Sequence, residues 1–407
     1  MDNNLKYDEL KKIIESCHLN FLIGSGVSSP YLSILGNIEE LLSTNESSKI
    51  PNKIIETSVK KFYYDKCIKG NLALLDLALC EEGKEELLKN TIDNYSAFIK
   101  SLQTILLHRE SNLVSKQVNL FTTNMDLFFD KIIEDCGYVL NDGFSGRINS
   151  KFGTENFHNS IYKYSSHYEY KSELPLFNLF KMHGSVNWKR INENPDKKTF
   201  EITYDINYEI LKNISTIEFS DSEITPILKV EKDANGKNIP YSYSELIDET
   251  ILIDEEISHD DFLSEYSKLV MINPTKDKFR DTTSNFYFYE LLRMYANHLE
   301  KENSVLFVIG FSFADEHIKE ITKRAIKSNP TLLIVIFCAK NEREWFGNIF
   351  NNANNVICLS PNDDDFYTLE NVNSFLFQKL AHDLNFGVKK SKNEFSKQEL
   401  NDGNSNK

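Results

Sequence analysis

The sequence predicts an α/β fold with a doubly wound, mainly parallel sheet. Short apolar runs such as VLFVIG and LLIVIF alternate along the chain with amphipathic helical segments. Strands that are apolar along their whole length are typical of a parallel sheet with helices on both faces. Four of the apolar runs also end in polar or glycine-containing corners, and ligands bind at the carboxyl ends of strands in sheets of this kind.

Two strand–corner–helix units are predicted in the first third of the chain. The segment YDELKKIIESC has helical spacing and leads into an apolar strand over residues 20–24. A polar, mainly helical stretch follows over about residues 31–115, and because it is long for a crossover it is predicted to be a helical insertion. The second strand covers residues 118–122, and an amphipathic helix begins after it at about Met125.

The rest of the chain adds further strands and a second insertion. The run LPLFNLFKMHGS contains a third strand, which ends at Met182 to Ser185. Residues 190 to about 262 are polar and aromatic, with weak alternation in TFEITYDINYEI, and are predicted to be a small polar, β-rich insertion. The remaining predicted elements are KLVMINP as a strand, NFYFYELLRMYANHLEKE as a helix, SVLFVIGFSFADEHIKEITKRAI as strand, glycine corner and helix, and TLLIVIFC and NVICLS as strands.

These elements predict one Rossmann-like domain over residues 1–387, which includes both insertions. A chain of 407 residues is long enough to bury a large core. Residues 388–407 are polar and are predicted to form a disordered tail.

The composition disfavours several classes of protein. The chain has 46 basic and 61 acidic residues, whereas binding to a nucleic-acid duplex requires a basic surface, so we expect no direct nucleic-acid ligand. The six cysteines form no C-x-x-C pair and the histidines show no metal-ligand spacing, so no metal site or disulfide framework is predicted. No signal-peptide core and no apolar run of about 18 residues is present, which predicts a soluble, cytoplasmic chain without membrane contact.

The four corners have the sequences GSGVS, TTNMD, MHGS and GFSFADEH. Because the carboxyl ends of parallel strands converge at a switch point of the sheet, we expect the corners to meet at one site. Gly24 and Gly26 would let backbone N–H groups approach a pyrophosphate, and Ser25 and Ser28 would add donors. The alternative is an ordinary glycine turn.

The second and third corners carry groups that suit catalysis. Asn124 and Asp126 supply an amide and a carboxylate, and His183 supplies an imidazole able to move a proton near neutral pH. Each has a structural alternative, since TTN could cap the following helix and a lone histidine after a strand is often packed in the core. Asp315 and His317 could either cap the last crossover helix or line the site.

In this order and at these intervals, GSGVS, TTNMD, MHGS and VIGFSF resemble the nucleotide site of the sirtuins. The resemblance covers roughly residues 19–320. The variants HGSVNW at 183–188 and GFSFADEH at 310–317 resemble the bacterial sirtuin-like antiviral effectors more closely than the deacetylases.

The resemblance implies that the chain binds NAD as its substrate at this site. Asn124 would orient the attacking water or the ribose hydroxyls, His183 would accept a proton, and Asp126 would hold the nicotinamide amide or the ribose. Ser312 would bond the adenosine ribose or a phosphate. The other NAD-binding residues that the resemblance implies are Gly24, Ser25, Gly26, Ser28, Thr123, Gly310, Asp315 and His317.

The differences between this sequence and the deacetylase sirtuins indicate which NAD-dependent activity the resemblance implies. Deacetylase sirtuins hold a structural zinc with paired C-x-x-C motifs after the catalytic histidine, whereas this chain has no cysteine between Cys136 and Cys338. We therefore expect no zinc. Because the residues for cleaving NAD remain, the resemblance implies an NAD hydrolase that releases nicotinamide and leaves ADP-ribose.

The resemblance also suggests a biological setting. Effectors of about this length are similar to the sirtuin partner of a HerA-type hexameric ATPase, and such pairs defend bacteria against phage by depleting NAD, a form of abortive infection. A toxic hydrolase must be restrained in an uninfected cell, so we expect a homo-oligomer or a partner to gate the site. Two other classes stay open, namely an NAD-dependent protein deacylase or ADP-ribosyltransferase, and a non-catalytic sensor of NAD or ADP-ribose.

Overall fold

The computed structural model describes most of the chain. The described residues are 3–34, 38–48, 52–109, 114–167, 170–194, 199–220, 222–232, 238–250, 259–273, 286–360 and 368–385. The predicted tail over 388–407 lies outside the described residues. Within the described ranges, no helix is long and apolar enough to cross a membrane.

Seven parallel strands form the central sheet. In chain order they are β1 (His18–Ile23), β2 (Gln117–Thr122), β3 (Val139–Asn141), β4 (Leu176–Lys181), β5 (Ser304–Ile309), β6 (Leu333–Phe337) and β7 (Val356–Leu359). Their order across the sheet is β7-β6-β5-β1-β2-β4-β3, and every neighbouring pair is parallel. The prediction of a Rossmann-like, mainly parallel sheet is confirmed.

Helices cover both faces of this sheet. The helices of the described residues are α1 (Asn3–Ser16), α2 (Ile38–Ser47), α3 (Lys53–Tyr63), α4 (Glu85–His108), α5 (Phe128–Asp135), α6 (Glu209–Thr216), α7 (Tyr243–Thr250), α8 (Asp260–Ser267), α9 (Phe286–Glu300), α10 (Glu316–Ser328), α11 (Arg343–Ile349) and α12 (Leu369–Val372). On one face Phe21 packs against Phe98 of α4, with 5.5 Å between ring centroids. On the other face Phe121 packs against Tyr295 of α9 at 5.1 Å. Successive strand residues point to opposite faces, so continuous apolar runs fill both layers.

The two insertions differ in structure. The first, over about 31–115, is helical as predicted, but its long helix α4 packs directly on the sheet and serves as the crossover from β1 to β2. The second, over about 190–262, contains two antiparallel hairpins and also the short helices α6, α7 and α8, which its weak alternation did not predict. The hairpin strands are Trp188–Asn194 with Thr199–Tyr204, and Leu228–Lys232 with Asn238–Pro240.

Three details differ from the sequence prediction. The helix after TTNMD begins at Phe128 rather than at about Met125, because Asp126 Oδ1 accepts the Phe128 N–H at 3.3 Å and holds a turn before the helix. The KLVMINP strand is short, Val270–Met271, and pairs antiparallel with Gly184–Ser185 outside the central sheet. Strand β3 was not predicted, because its three half-buried residues form no apolar run.

A row of four asparagines crosses the sheet at paired positions of β1, β2, β4 and β3. Asn119 donates to Asn20 Oδ1 at 2.8 Å, and Asn178 donates to Asn119 Oδ1 at 3.0 Å. Asn141 continues the row by donating to Asn178 Oδ1 at 3.0 Å. At the other end, Asn20 donates to the Val305 carbonyl of β5 at 3.2 Å. A slip of one residue would move these amides to the opposite face, so the row fixes the strand register.

His298 of α9 joins this row from the helix layer. Its Nδ1 lies 3.0 Å from Asn119 Nδ2, and an uncharged imidazole nitrogen accepts from an amide. Burial lowers the pKa of His298 to about 3, so the ring is neutral and keeps this acceptor. The contact docks α9 on β2.

Substituting Asn119 by alanine is expected to destabilise the protein. The change removes three side-chain hydrogen bonds, those with Asn20, Asn178 and His298, and leaves Asn20 Oδ1 buried without this donor, at a cost of about 1–3 kcal/mol for a buried group left unpaired. The free energy of unfolding can be measured by urea denaturation. The control is Asn207→Ala, at an exposed position whose amide donates to the exposed Glu209. Equal stability losses in the two variants would contradict a register role for the row.

Candidate functional site

The four predicted corners meet at one cavity. They follow β5, β1, β2 and β4, which are consecutive neighbours in the sheet, and the cavity between them has a volume of about 260 Å³. The predicted residues that line it are Ser25, Ser28, Thr123, Asn124, Asp126, His183, Gly310, Ser312 and Asp315. Gly24, Gly26 and His317 do not line it.

Gly24 and Gly26 bring the first corner into contact with the fourth. The Gly24 N–H donates to the Ile309 carbonyl at 3.0 Å, and the Gly26 N–H donates to the Gly310 carbonyl at 3.1 Å. A Cβ atom at Gly24 would overlap the Gly310 carbonyl oxygen. Glycine is therefore required here by contact between two loops. Both N–H groups donate within the protein, so neither is left for a phosphate, whereas the sequence predicts that backbone N–H groups at this corner approach a pyrophosphate.

Asn124 carries an amide oxygen without a partner. Its Nδ2 donates to the Gly24 carbonyl at 3.1 Å and to Ser28 Oγ at 3.3 Å, while its backbone N–H donates to Thr122 Oγ1 at 2.9 Å. Its Oδ1 is buried and has no hydrogen-bond partner in the described part of the chain. An unpaired buried acceptor costs about 1–3 kcal/mol, which makes this oxygen a candidate to accept from a ligand.

Ser28 and Asp126 form a buried pair behind Asn124. Ser28 Oγ donates to Asp126 Oδ2 at 2.6 Å and lies 2.8 Å from the hydroxyl of Tyr95 on α4. The other carboxylate oxygen of Asp126 accepts the Phe128 N–H. Burial raises the pKa of Asp126, and the bond from Ser28 opposes that rise. Both carboxylate oxygens are thus engaged by the protein.

His183 is held by contacts on its side chain and on its backbone. Its Nε2 lies 3.2 Å from Asp315 Oδ2, and both side chains are largely buried. The Ile272 N–H donates to the His183 carbonyl at 2.9 Å. Gly184 has a φ of 82°, and a Cβ atom there would overlap the Val270 carbonyl oxygen, so glycine is needed after the histidine. The short Val270–Met271 strand therefore positions His183.

Asp315 caps α10 and also lines the cavity, so both roles weighed from the sequence are present. Its Oδ1 accepts the N–H groups of His317 and Ile318 at 3.1 and 3.2 Å, while Oδ2 faces His183. His317 enters this arrangement through its backbone N–H. Ser312 is exposed at the cavity, and the next residue, Phe313, is buried with a φ of 56°.

The first insertion supplies an apolar wall to the cavity. Leu32, Ile34, Tyr63 and Cys67 line this side. The Cys67 thiol donates to the Ser33 carbonyl at 3.0 Å, and burial raises the pKa of Cys67 to about 12. The thiol is therefore protonated near neutral pH and is not a nucleophile.

The sequence reasoning missed a buried lysine beside the site. Lys181 ends β4, is 3% exposed, and forms an ion pair with Asp130 Oδ2 at 2.6 Å. Its ammonium also donates to the Asp126 carbonyl and to Ser185 Oγ. The one available signal was a charged residue that closes the apolar run LFNLFK.

Within the ranges that the structure describes, no group of three or more His, Cys, Asp or Glu side chains is arranged to hold a metal ion. Ser28, Asp126, His183 and Asp315 in the cavity have partners in other side chains or in the backbone. The arrangement offers a paired imidazole, an unpaired amide oxygen and exposed serine hydroxyls, which are groups that bind and activate hydroxyl-bearing ligands.

A cavity at the carboxyl ends of a parallel sheet lies where α/β proteins of this class bind their ligands, at the switch point. Residues 262–356 match the family model of the SIR2-like domain. The match includes the GFSFADEH corner and supports a sirtuin-like protein with NAD-related activity in general. No curated protein matches the chain.

Substituting Gly24 by alanine is expected to lower both stability and ligand binding. The added Cβ forces the first and fourth corners apart, and overpacking of this kind costs about 1–3 kcal/mol. Urea denaturation and calorimetric titration with NAD measure the two effects. The control is Gly347→Ala in α11, where a Cβ meets only the end of the Asn352 side chain. Lost NAD binding with unchanged stability would instead indicate direct contact between Gly24 and the ligand.

Proposed function

We propose that the chain is an NAD hydrolase that releases nicotinamide and ADP-ribose. One observation carries the proposal. Of the buried side-chain atoms without a partner in the described part of the chain, only Asn124 Oδ1 belongs to a residue that lines the cavity, and His183 with its Asp315 partner lines the same cavity. The SIR2-like match over residues 262–356 supports NAD as the ligand.

The reaction requires few catalytic groups from the protein. Cleavage breaks the bond between ribose C1′ and the nicotinamide nitrogen, and the electron pair leaves with nicotinamide, which becomes neutral. No general acid is therefore needed for the leaving group. Water supplies the hydroxyl at C1′ and releases one proton, while the ribose passes through an oxocarbenium-like transition state.

Asn124 and His183 suit the two remaining tasks. The unpaired Oδ1 of Asn124 would accept from the attacking water or a ribose hydroxyl and fix its position. When His183 donates its Nε2–H to Asp315, its Nδ1 is the basic nitrogen and would accept the released proton. Asp315 is then a positioning residue, because it sets the tautomer and the ring orientation.

Other predicted residues take supporting roles in this proposal. Ser25 and Ser312 are exposed at the cavity and would donate to phosphate or ribose oxygens of NAD. Thr123 and Gly310 complete the lining between them. For Asp126 we propose a positioning role instead of direct contact with nicotinamide, because both of its carboxylate oxygens already accept from the protein.

Purified protein incubated with NAD, without any acyl acceptor, is expected to yield nicotinamide and ADP-ribose in equal amounts. Asn124→Ala and His183→Ala should each lower the rate by about 100-fold or more, because each removes a group that acts in the transition state. Product chromatography gives the rates, and thermal melting separates lost chemistry from lost folding.

The matched controls are Asn207→Ala and His167→Ala, at exposed positions away from the cavity lining. Wild-type rates in a folded Asn124→Ala or His183→Ala variant would overturn the assigned roles. Release of nicotinamide only when an acylated peptide is added would indicate a deacylase. NAD binding without any product would indicate a sensor.

We further propose that the enzyme acts in the bacterial cytoplasm in antiphage defence, as a homo-oligomer and with a HerA-type ATPase. These proposals rest on the resemblance of HGSVNW and GFSFADEH to bacterial sirtuin-like effectors. Exposed leucines support a contact surface on the first insertion, since Leu77 is 72% and Leu79 49% exposed.

Mass photometry of the purified protein is expected to show a homo-oligomer. Replacing both Leu77 and Leu79 by serine should shift it toward the monomer, because the change removes apolar area from the proposed contact. Adding a HerA-type ATPase should change the rate of NAD cleavage. A wild-type monomer with full activity in the absence of any partner would contradict gating by assembly.

A further inference from the structure

Lys181 is a buried charge that joins two loops of the site. Its ammonium donates to the Asp126 carbonyl at 2.7 Å, in the corner after β2, and to Ser185 Oγ at 2.8 Å, in the corner after β4. Asp130 of α5 pairs with it at 2.6 Å. An ammonium at this depth is stable only when its donors are engaged, so its partners are held in place with it.

The hydrogen bonds beyond Lys181 have a defined direction. Ser28 has one hydroxyl proton and donates it to Asp126 Oδ2 at 2.6 Å. Ser28 Oγ must therefore accept from its other neighbours, which are the Asn124 amide and the Tyr95 hydroxyl. This turns the Nδ2 of Asn124 toward Ser28 and Gly24 and leaves Oδ1 as the unpaired atom.

We propose that Lys181 is a positioning residue that, through Asp126 and Ser28, fixes the orientation of the Asn124 amide in the cavity. The proposal rests on the function proposed above, in which Asn124 Oδ1 holds water or a ribose hydroxyl. Lys181 acts on this amide in two ways: it fixes the Asp126 backbone, and its positive charge favours the ionised form of the Asp126 carboxylate.

The charge of Asp126 decides the direction of these bonds. Burial raises the pKa of Asp126, while the bond from Ser28 and the charge of Lys181 lower it. Asp130 on α5 opposes ionisation, and Tyr95 on α4 is a neutral phenol because burial raises its pKa. A protonated Asp126 could itself donate to Ser28 Oγ, which would compete with Asn124 Nδ2 for the lone pairs of that oxygen and weaken the bond that holds the amide. Activity should therefore fall as pH drops through the pKa of Asp126.

The test compares Lys181→Met and Lys181→Arg with the wild-type protein. Rates of NAD cleavage, as kcat and KM, are measured across the acidic and neutral pH range, with thermal melting of each variant. Removing the ammonium should lower kcat by about 10-fold to 100-fold, as small displacements in a site do, with a smaller change in KM. The acidic limb of the kcat profile should move up by about one pH unit, because an opposite charge near a carboxyl lowers its pKa by about that much or more.

Lys181→Arg retains the charge and should return the acidic limb close to its wild-type position. The control is Lys131→Met, which removes an ammonium from the same helix as Asp130, where Lys131 pairs with the exposed Asp135. A merely structural role would lower the melting temperature and leave the acidic limb in place. A kcat profile of folded Lys181→Met that superimposes on the wild-type profile would overturn the proposal.

Ser28→Ala keeps the proposal testable if Lys181→Met does not fold. This variant lacks the hydroxyl that connects Asp126 to Asn124. We therefore expect kcat to fall, and the part of the acidic limb of the kcat profile that is due to Asp126 to disappear. A wild-type profile in folded Ser28→Ala would count against the proposal.

Calorimetric titration with NAD distinguishes failure of this proposal from failure of the proposed reaction. If the wild-type protein binds NAD but releases no nicotinamide, the hydrolase assignment fails, and the pH dependence of the NAD Kd then tests the orientation of Asn124. Lys181→Met should move that dependence to higher pH. Equal Kd values for the wild type and Lys181→Met at every pH would overturn the positioning role.

Discussion

The row of hydrogen-bonded asparagines is the constraint on which the site depends. It sets the register of β1, β2, β4 and β3, and Asn20 extends it to the backbone of β5. Once these strands are in register, their carboxyl ends lie at one edge and the four corners face the same cavity. A purely apolar sheet interior would tolerate alternative pairings more easily, since apolar contacts have no direction. Neutral His298 adds a bond from α9 in the helix layer to Asn119 of β2.

The sheet and the position of the site could be predicted from the sequence because both follow from local patterns. Apolar runs give buried parallel strands, and polar residues directly after them fall at the carboxyl edge. This reasoning selected Asn124, His183 and Asp315, which line the cavity. The contacts of Asn124 with Gly24 and Ser28, and of His183 with Asp315, could not be predicted, because these partners are distant in the sequence. Asp315 shows the limit: its spacing fits a helix cap, and only the fold shows that its second oxygen faces His183.

Gly24 and Lys181 show why the remaining features escaped prediction. A glycine in a corner is compatible with a turn, with a ligand or with a neighbouring loop, and its spacing does not distinguish these cases. The structure selects the neighbouring loop, because the space that a Cβ would need is filled by the Gly310 carbonyl. A lysine at the end of an apolar strand usually reaches solvent, whereas Lys181 is enclosed by Asp130, Asp126 and Ser185. The burial of a side chain such as Lys181 depends on how the helix and sheet layers pack, and the local sequence does not show this packing.

The chemistry that the site can support depends on which of its polar groups already have hydrogen-bond partners within the protein. Ser28, Asp126, Lys181 and Asp315 are all bonded within the protein, so the proposed reaction would require little reorganisation of these groups. Asn124 Oδ1 has no partner among the described residues, which costs stability that the fold could recover with an apolar side chain. Rigid side chains around an unpaired acceptor suit a site that must hold a small, mobile nucleophile such as water in one position. In the proposed positioning role, a change at Lys181 would reach Asn124 through Asp126 and the Ser28 hydroxyl.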